Sequence, residues 1–386
     1  MTPVADACDV CLRRTDLLAA LAPVLDVEWR RRSALPGVLT MPDEALVALD
    51  PAGAVARRYL GFDPDIARRR AGAARLSVLC RCSARYPGRL GELADPPAVL
   101  HVLGDPAALA DPDGAAVVGA RRGTPYGLEV ARALGRGLSA AGVSVVSGLA
   151  LGVDAAAHAG ALEAAGPTVG VLAGGADVPY PAMHRRLYER VAARGCVVSE
   201  LPPGFHAMRW CFVARNRIIA GLAAVTVVVE ATVRSGSLTT ADFAAQAGRQ
   251  VAAVPGPVTS RLAGGTNGLL ANGAALVRDA RDVLDVLFGP GAVPDEVVAL
   301  GQPGWRPAAG SRAMLGESGG RSPAASLTAL EAPLRALLDA VEQGRGSLAA
   351  LTSDPERAPA VLCALTELER RGLVRRDFGG RYVRVP

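Results

Sequence analysis

The chain has 386 residues, half of them hydrophobic and only 4% aromatic, which is enough for two or three domains with a sizeable core packed largely by Ala and Val. Its formal net charge of +5 permits a nucleic-acid partner without demanding one. All 42 basic side chains are Arg; that excludes a P-loop lysine, a Schiff-base lysine and a lysine general base, while the planar guanidinium fork suits phosphate.

Seven Cys is an odd number in a long chain with little character of a disulfide scaffold, so the expected setting is reducing and cytoplasmic. Arg13 and Arg14 followed by "TDLLAALAPVL" imitate a signal peptide, but Asp16, Pro23 and Asp26 interrupt the run and "WRRR" follows it in place of a cleavage site. No apolar run is long enough to span a bilayer, so no membrane role is expected.

Residues 1–95 are Arg-rich, with short helical patterns such as "MPDEALVALD", which Asp43 or a neighbour would cap; they read as a small helical N-terminal region. Residues 96–288 alternate apolar runs with helical periods. "AAVVGAR" predicts a buried strand, followed by a helix from about Tyr126 to Ala141. "VSVVSG" predicts a second strand and a helix beginning near Asp154. "TVGVLAGG" and "CVVSEL" predict the third and fourth strands, with a helix around "AMHRRLYERVAAR" between them. "WCFVARNRIIAGL" is a helix, "AVTVVVEA" a fifth strand, "SLTTADFAAQAG" a helix and "QVAAVPG" a sixth strand. Strands and helices alternating at this spacing predict an α/β fold, a parallel Rossmann-like sheet covered on both faces. Residues 289–325, rich in Gly, Pro, Ala and Ser, read as a flexible linker, and residues 326–386 as a compact helical module.

Ligands of such sheets bind beyond the carboxyl ends of the strands. There stand "GARRGTPYG", "SGLALGVD", "AGGADVPYP", "PPGFHAMRWCF", "EATVRSGSLTTA" and "PGPVTSRLAGGTNG", rich in Gly, Ser, Thr, Asn and Arg. Glycines let backbone amides approach a ligand, and hydroxyls with helix N-termini bind anions. One such loop is no more than a turn, and Arg121 alone would be a surface ion pair. Several such loops together on one sheet edge describe a phosphate-binding rim. His158, in "DAAAHAGAL", reads as a packed side chain rather than a catalyst. The rim has no G-x-G-x-x-G, no G-x-x-x-x-G-K-[ST], no metal-spaced cluster and no nucleophile elbow, so a phosphodiester chain held rather than cut fits it, with no cofactor. Arg215 and Arg217 lie two apart and point to different helix faces, one towards the rim and one anchoring the helix. Asn216 would reach a base edge or cap a loop, Arg209 adds charge, and Trp210 and Phe212 would stack on bases, or Phe212 would fill the core.

"VVGARRGTPYGLEVARALGRGLSAAGVSVVSGLALGVDAAAHAGALEAAG", "YPAMHRRLYERVAARGCVVSELPPG", "FVARNRIIAGL", "VVVEATVRSGSLTTADFAAQAGRQVAAVPG" and "GGTNGLLANGAALV", in this order over most of residues 80–285, together resemble the DNA-processing protein DprA (Smf) family. The resemblance implies an extended Rossmann-like domain that binds single-stranded DNA without sequence preference. It also implies a homodimer that loads the recombinase RecA onto incoming DNA during natural transformation, and no enzymatic activity. By motif, Arg121 would contact phosphate, Arg217 would line the same pocket with Asn216 beside it, and Gly148, Ser235, Gly236, Ser237 and Asn267 would build its loops; Arg215 is expected with them among the DNA-binding residues. The family usually reads "VGSR"; Ala120 replaces that Ser, and the Arg is retained.

The C-terminal module looks like the family's winged-helix domain. "APAVLCALTELERRGLV" would be the recognition-type helix and "RRDFGGRYVRVP" the wing, turned at Gly379 and Gly380, with Arg370, Arg371, Arg375 and Arg376 suited to duplex DNA or to a protein contact. The N-terminal region lacks the glycine hairpins of a helix-hairpin-helix. Cys8 and Cys11 form C-x-x-C, and Cys80 and Cys82 form C-x-C. Four thiolates from two such knuckles would suit zinc, but C-x-C is tight spacing for it, and no metal is assigned. Two other functions compete: a nucleotide-processing phosphoribohydrolase using Glu230, against which the absence of "PGGxGT" counts, and a transcription regulator built on the winged helix alone.

Overall fold

The computed structural model describes residues 5–32, 37–111, 113–164, 166–293 and 332–342, with 351, 361, 364, 365, 368, 373–376 and 382–384. Its chain divides into two units, Met1–Pro307 and Ala308–Pro386.

The first unit is built on one ten-stranded sheet. All six strands expected from apolar runs form: β4 (Ala115–Val118), β5 (Val145–Ser147), β6 (Thr168–Val171), β7 (Cys196–Ser199), β8 (Val225–Val228) and β9 (Gln250–Ala253). Four more lie outside that set: β1 (Ala5–Asp6), β2 (Ser77–Cys80), β3 (Val99–Gly104) and β10 (Ala275–Leu276). The order is β1-β2-β3-β7-β6-β5-β4-β8-β9-β10. Pairings within the β7–β10 run are parallel, whereas β2–β3 and β3–β7 are antiparallel. From β4 the chain winds outward through β5, β6 and β7, then returns to the other side of β4 with β8. The switch point, where a doubly wound sheet opens a crevice, therefore lies between β4 and β8.

Alternate residues of the central strands feed two cores. Ala115, Val117, Val145, Val225 and Val227 face α6 (Pro125–Ala140), α7 (Val153–Glu163) and α12 (Ala280–Phe288). Ala116, Val118, Val146 and Val228 face α9 (Arg209–Leu222) and α10 (Leu238–Gln246). Both faces are covered, which is why β4 to β8 read as unbroken apolar runs rather than as alternating ones. The remaining core-domain helices are α8 (Arg185–Arg194) beside β6 and β7, and α11 (Gly264–Ala271) after β9.

The N-terminal region is helical, as expected, but it is not set apart. Its helices α1 (Asp9–Arg32), α2 (Asp43–Val47), α3 (Ala54–Leu60) and α4 (Pro64–Ala73) pack on the sheet unit, with a single turn α5 (Gly88–Gly91) leading to β3. The boundary expected near residue 95 falls between β2 and β3, inside one antiparallel pair. Asp43 does not cap α2 with its side chain; its carboxylate takes Arg14 at 2.6 Å and the Tyr59 hydroxyl at 3.0 Å.

In the second unit, a helix at Ala332–Glu342 and the antiparallel pair β11 (Val374–Arg376) and β12 (Tyr382–Arg384) enclose a small core around Leu338, Leu365 and Leu368. The pair stands where a wing was expected, with Arg375 and Arg376 on its first strand. Gly379, Gly380, Arg370, Arg371, the linker beyond residue 293 and most of the expected recognition helix lie outside the described residues.

Helices α6 and α7 touch backbone to backbone. A Cβ on Gly135 would stand 2.1 Å from the Ala157 carbonyl oxygen, and one on Gly160 2.0 Å from that of Arg132. Neither neighbour is a side chain able to swing away. Gly160→Ala is expected to lower stability by about 1–3 kcal/mol, because the two helices must be prised apart. A urea titration followed by circular dichroism measures this, and an unchanged midpoint would contradict the close packing.

Candidate nucleic-acid interface

The loops after β4, β5 and β8, together with the first half of α9, enclose an open cavity of about 630 Å³ at the switch point. Arg121, Arg215, Asn216, Ser235, Gly236 and Ser237, six of the nine expected site residues, line it. Two helices begin at its edge: α7, whose Asp154 is in its first turn, and α10, which Ser237 precedes. Helix N-termini carry partial positive charge, which favours anions, although the Val153 and Leu238 amides that open these two helices already donate to the Ala120 and Ser235 carbonyls.

Arg121 is exposed, and its guanidinium carbon stands 5.3 Å from the centroid of the Phe212 ring. Phe212 in turn meets Tyr180, half exposed, at 5.3 Å between centroids and 53° between planes. Among the described residues no carboxylate lies within ion-pair distance of Arg121, Arg122 or Arg209, all three of which border the cavity. A cation held over a ring face with its N–H donors unspent suits an incoming phosphate. The Gly119–Ala120 turn is pinned by the Val153 amide, which donates to the Ala120 carbonyl at 3.2 Å. Ala120, in place of the family's Ser, is buried and adds no polar group.

Arg215 forms part of the floor. It is 6% exposed, and one Nη donates to the Gly148 carbonyl at 2.8 Å and to the Val171 carbonyl. Burial pushes its pKa down to about 10, opposed by the nearby Asp154 carboxylate. Asp154, itself raised by burial, accepts from the Gly148 amide at 3.1 Å. A Cβ on Gly148 would stand 2.3 Å from the Arg215 guanidinium, so any larger residue there would have to displace it. Both backbone groups of Gly148 are thus engaged in fixing the floor, and Leu149 beyond it holds a left-handed φ of 55° with its side chain buried.

The wall is the "RSGS" loop. The Ser235 and Ser237 hydroxyls share a hydrogen bond at 2.8 Å, and Asn216 donates from its amide to the Gly236 carbonyl at 3.1 Å and to the Thr239 hydroxyl at 2.8 Å. Of the two roles open to Asn216, its contacts are those of a loop cap.

Arg217 is not brought to this cavity. It is 2% exposed and faces the opposite side of α9, where both Nη atoms donate to Glu200 at 2.9 and 2.7 Å and Nε donates to the Asp95 carboxylate at 3.0 Å. It borders a second, largely apolar cavity of about 680 Å³ with Asp95 and Trp210. Burial opposes its charge, but Glu200 and Asp95 together outweigh it and the guanidinium is held above its ordinary pKa. Asn267 is also elsewhere: its amide is stapled to Gly256 by bonds of 3.2 and 3.0 Å, fixing the loop after β9. Trp210, expected to stack on bases, is 1% exposed and belongs to the core shared with α1. The aromatic wall is instead Phe212 with Tyr180; the only sequence signal for Tyr180 was an aromatic following a Gly-rich strand end.

The residues offered for other chemistries are accounted for. Glu230 takes the Thr124 amide at 2.8 Å and its hydroxyl at 2.6 Å, one on each oxygen, which fastens the start of α6. A Cβ on Gly127 would strike it at 2.3 Å. His158 is fully buried, bonded through Nδ1 to Thr168 at 2.7 Å, and burial pushes its pKa down to about 3, so it stays neutral. Among the described residues no helix is long and apolar enough to cross a membrane.

Arg217→Ala is expected to lower stability by about 3–5 kcal/mol, since it strands the buried Glu200 charge. Replacing Arg217 and Glu200 together by apolar residues is expected to restore much of that loss. Urea denaturation of the three proteins decides it; additive losses in the double variant would contradict the pairing.

The family model for DNA recombination-mediator protein A matches residues 77–288, more than half of the chain. A DNA processing protein DprA of Bacillus subtilis is 36% identical over 287 residues, covering 73% of this chain and 96% of its own. A putative DNA processing protein DprA of Mycobacterium tuberculosis is 51% identical over 191 residues, and the chain spans about half, 49%, of that relative's length. The X-ray structure of DNA processing protein A from Streptococcus pneumoniae superposes with a TM-score of 0.59 at 32% identity, over 72% of this chain and 96% of its own. With the switch-point cavity, its arginines and its hydroxyl-lined loop on an extended Rossmann-like sheet, the chain belongs to the DNA recombination-mediator protein A family.

Proposed function

We propose that this chain is a recombination mediator that holds single-stranded DNA across the switch-point cavity and delivers it to RecA, as in natural transformation. The observation that carries this reading is Arg121: an exposed guanidinium without a carboxylate partner among the described residues, set over the Phe212 ring at the mouth of a cavity edged by two helix N-termini. Phosphates would run past Arg121, Arg122 and Arg209, whose long stems let them follow a flexible backbone. Tyr180 and Phe212 offer ring faces to unpaired bases, which a duplex keeps stacked inside itself. The strand is held, not cut. Asp154 is the one carboxylate among the described residues lining the cavity, and it is spent on Gly148 and on balancing Arg215. Glu230, the candidate of the phosphoribohydrolase reading, is occupied by Thr124.

The reading includes a cytoplasmic homodimer, with the exposed Val233, Val258 and Leu276 supplying apolar surface for a second copy. Two copies would hold two segments of one strand, or two strands, side by side.

Fluorescence anisotropy of a labelled oligonucleotide, single-stranded against duplex, over a salt series tests the reading. Single strands are expected to bind more tightly. Arg121→Ala is expected to weaken binding and to make the log–log salt slope shallower by about 0.7, one phosphate's worth. Lys at position 121 would restore the slope while losing the ring contact. Equal affinity for both forms of DNA, or a slope untouched by Arg121→Ala, would overturn the assignment.

A further inference from the structure

The two cysteine knuckles, whose spacing had weighed against a metal, meet at one point of the fold. Cys8 precedes α1 and Cys11 lies in its first turn; Cys80 ends β2 and Cys82 follows in the next turn. One ligand atom from each of the four lies within 4.8 Å of all the others. The Sγ atoms of Cys8 and Cys82 are 4.0 Å apart and those of Cys11 and Cys82 3.8 Å apart. Zinc–thiolate bonds of about 2.3 Å set the sulfur–sulfur edges of a tetrahedron at about 3.8 Å. A disulfide would require about 2.05 Å. All four thiols are free, and the observed separations match a shared central ion rather than either bridge.

The surroundings are those of a closed site. Cys11 and Cys80 are buried in a small core with Leu12, Leu76 and Val78, while Cys8 and Cys82 are exposed, so an ion has an entry path on one side and a dry wall on the other. The Cys8 amide N–H points at the Cys80 Sγ at 3.4 Å, a contact that stabilises a thiolate more than a thiol. The pairing of β1 with β2 runs straight into the cluster, with Ala5 opposite Val78 and Asp6 opposite Leu79. C-x-C suffices because Cys80, at the strand end, and Cys82, past it in the turn, both reach the same point.

We propose that Cys8, Cys11, Cys80 and Cys82 bind one zinc ion that clips the start of α1 to the edge of the sheet. Four protein thiolates leave no open coordination position, so the site is structural rather than catalytic. A two-residue strand such as β1 has little hold of its own on an edge, and the ion supplies what its ladder cannot. The consequence reaches α9, because Asp26 of α1 accepts from the Arg209 amide at 2.8 Å and so caps the helix that carries Arg215.

The full-length chain, purified under reducing conditions without added metal, is assayed by inductively coupled plasma mass spectrometry. About one zinc per chain is expected. After removal of zinc with an organomercurial and reduction, cobalt(II) is expected to give the intense thiolate charge-transfer and d–d bands of a tetrahedral sulfur site. Cys8→Ser and Cys82→Ser change only the exposed corners and leave the core intact; each is expected to hold well under one zinc while keeping its circular dichroism spectrum. A folded, reduced wild-type chain without zinc and without the cobalt bands would overturn the proposal. So would an intact mass showing both pairs oxidised to disulfides in protein made in a reducing host.

Discussion

The cavity exists because α9 is held in one orientation, and the Arg217–Glu200 ion pair holds it. Both charges are nearly dry, and the guanidinium fork fits the carboxylate with two bonds while Nε reaches Asp95. Such a pair is a poor source of net stability, since desolvation consumes most of the attraction. It is a strong source of geometry, because rotating α9 by a small angle would leave two unpaired charges in an apolar setting. The opposite face of the helix, with Arg215 and Asn216, is thereby aimed at the loops after β5 and β8. Asp26 adds a cap at the start of the helix, so its position is fixed both along its length and about its axis.

The loops that α9 faces are fixed by the same device of spending polar groups locally. Gly148 gives its carbonyl to Arg215 and its amide to Asp154; Gly236 gives its carbonyl to Asn216; Asn267 closes on Gly256; Glu230 closes on Thr124. Each contact removes freedom from a glycine-bearing turn before a ligand arrives, which lowers the ordering cost of binding. What is left unspent is then informative: Arg121, Arg122 and Arg209, with two aromatic rings beside them.

The parallel strands and their helices were legible in the sequence because strands buried on both faces are short Val/Ala runs bounded by glycine, and tertiary context had little to override. β2 and β3 were not. "LSVLC" follows an Arg-rich helix and "VLHVLG" lies between Pro- and Asp-bearing turns, and nothing local says that they pair with each other or that β3 joins β7, about a hundred residues later. The same long-range blindness hid Tyr180 and the meeting of the cysteines. The rim itself was legible as composition, Gly with Ser, Thr and Arg at the strand ends, and six of the nine expected residues do line one cavity.

The placement of Arg217 away from the switch-point cavity has a physical cause that generalises. Two residues on a helix, like Arg215 and Arg217, point some 200° apart, so one "ARNR" segment must serve two environments. Spacing shows that the two differ; it does not show which one meets the ligand, because the motif's charge reads identically from either side. The donor inventory does. Arg217 commits at least four of its five N–H donors, to Glu200, to Asp95 and to the Ala214 carbonyl, and a phosphate would have to displace carboxylates that are already desolvated. Arg121 commits none to a described protein acceptor, so its donors meet a phosphate without displacing a protein partner. In a chain whose every basic residue is arginine, residue type cannot separate scaffold from ligand contact; the separation lies in whether the guanidinium is spent before the partner comes.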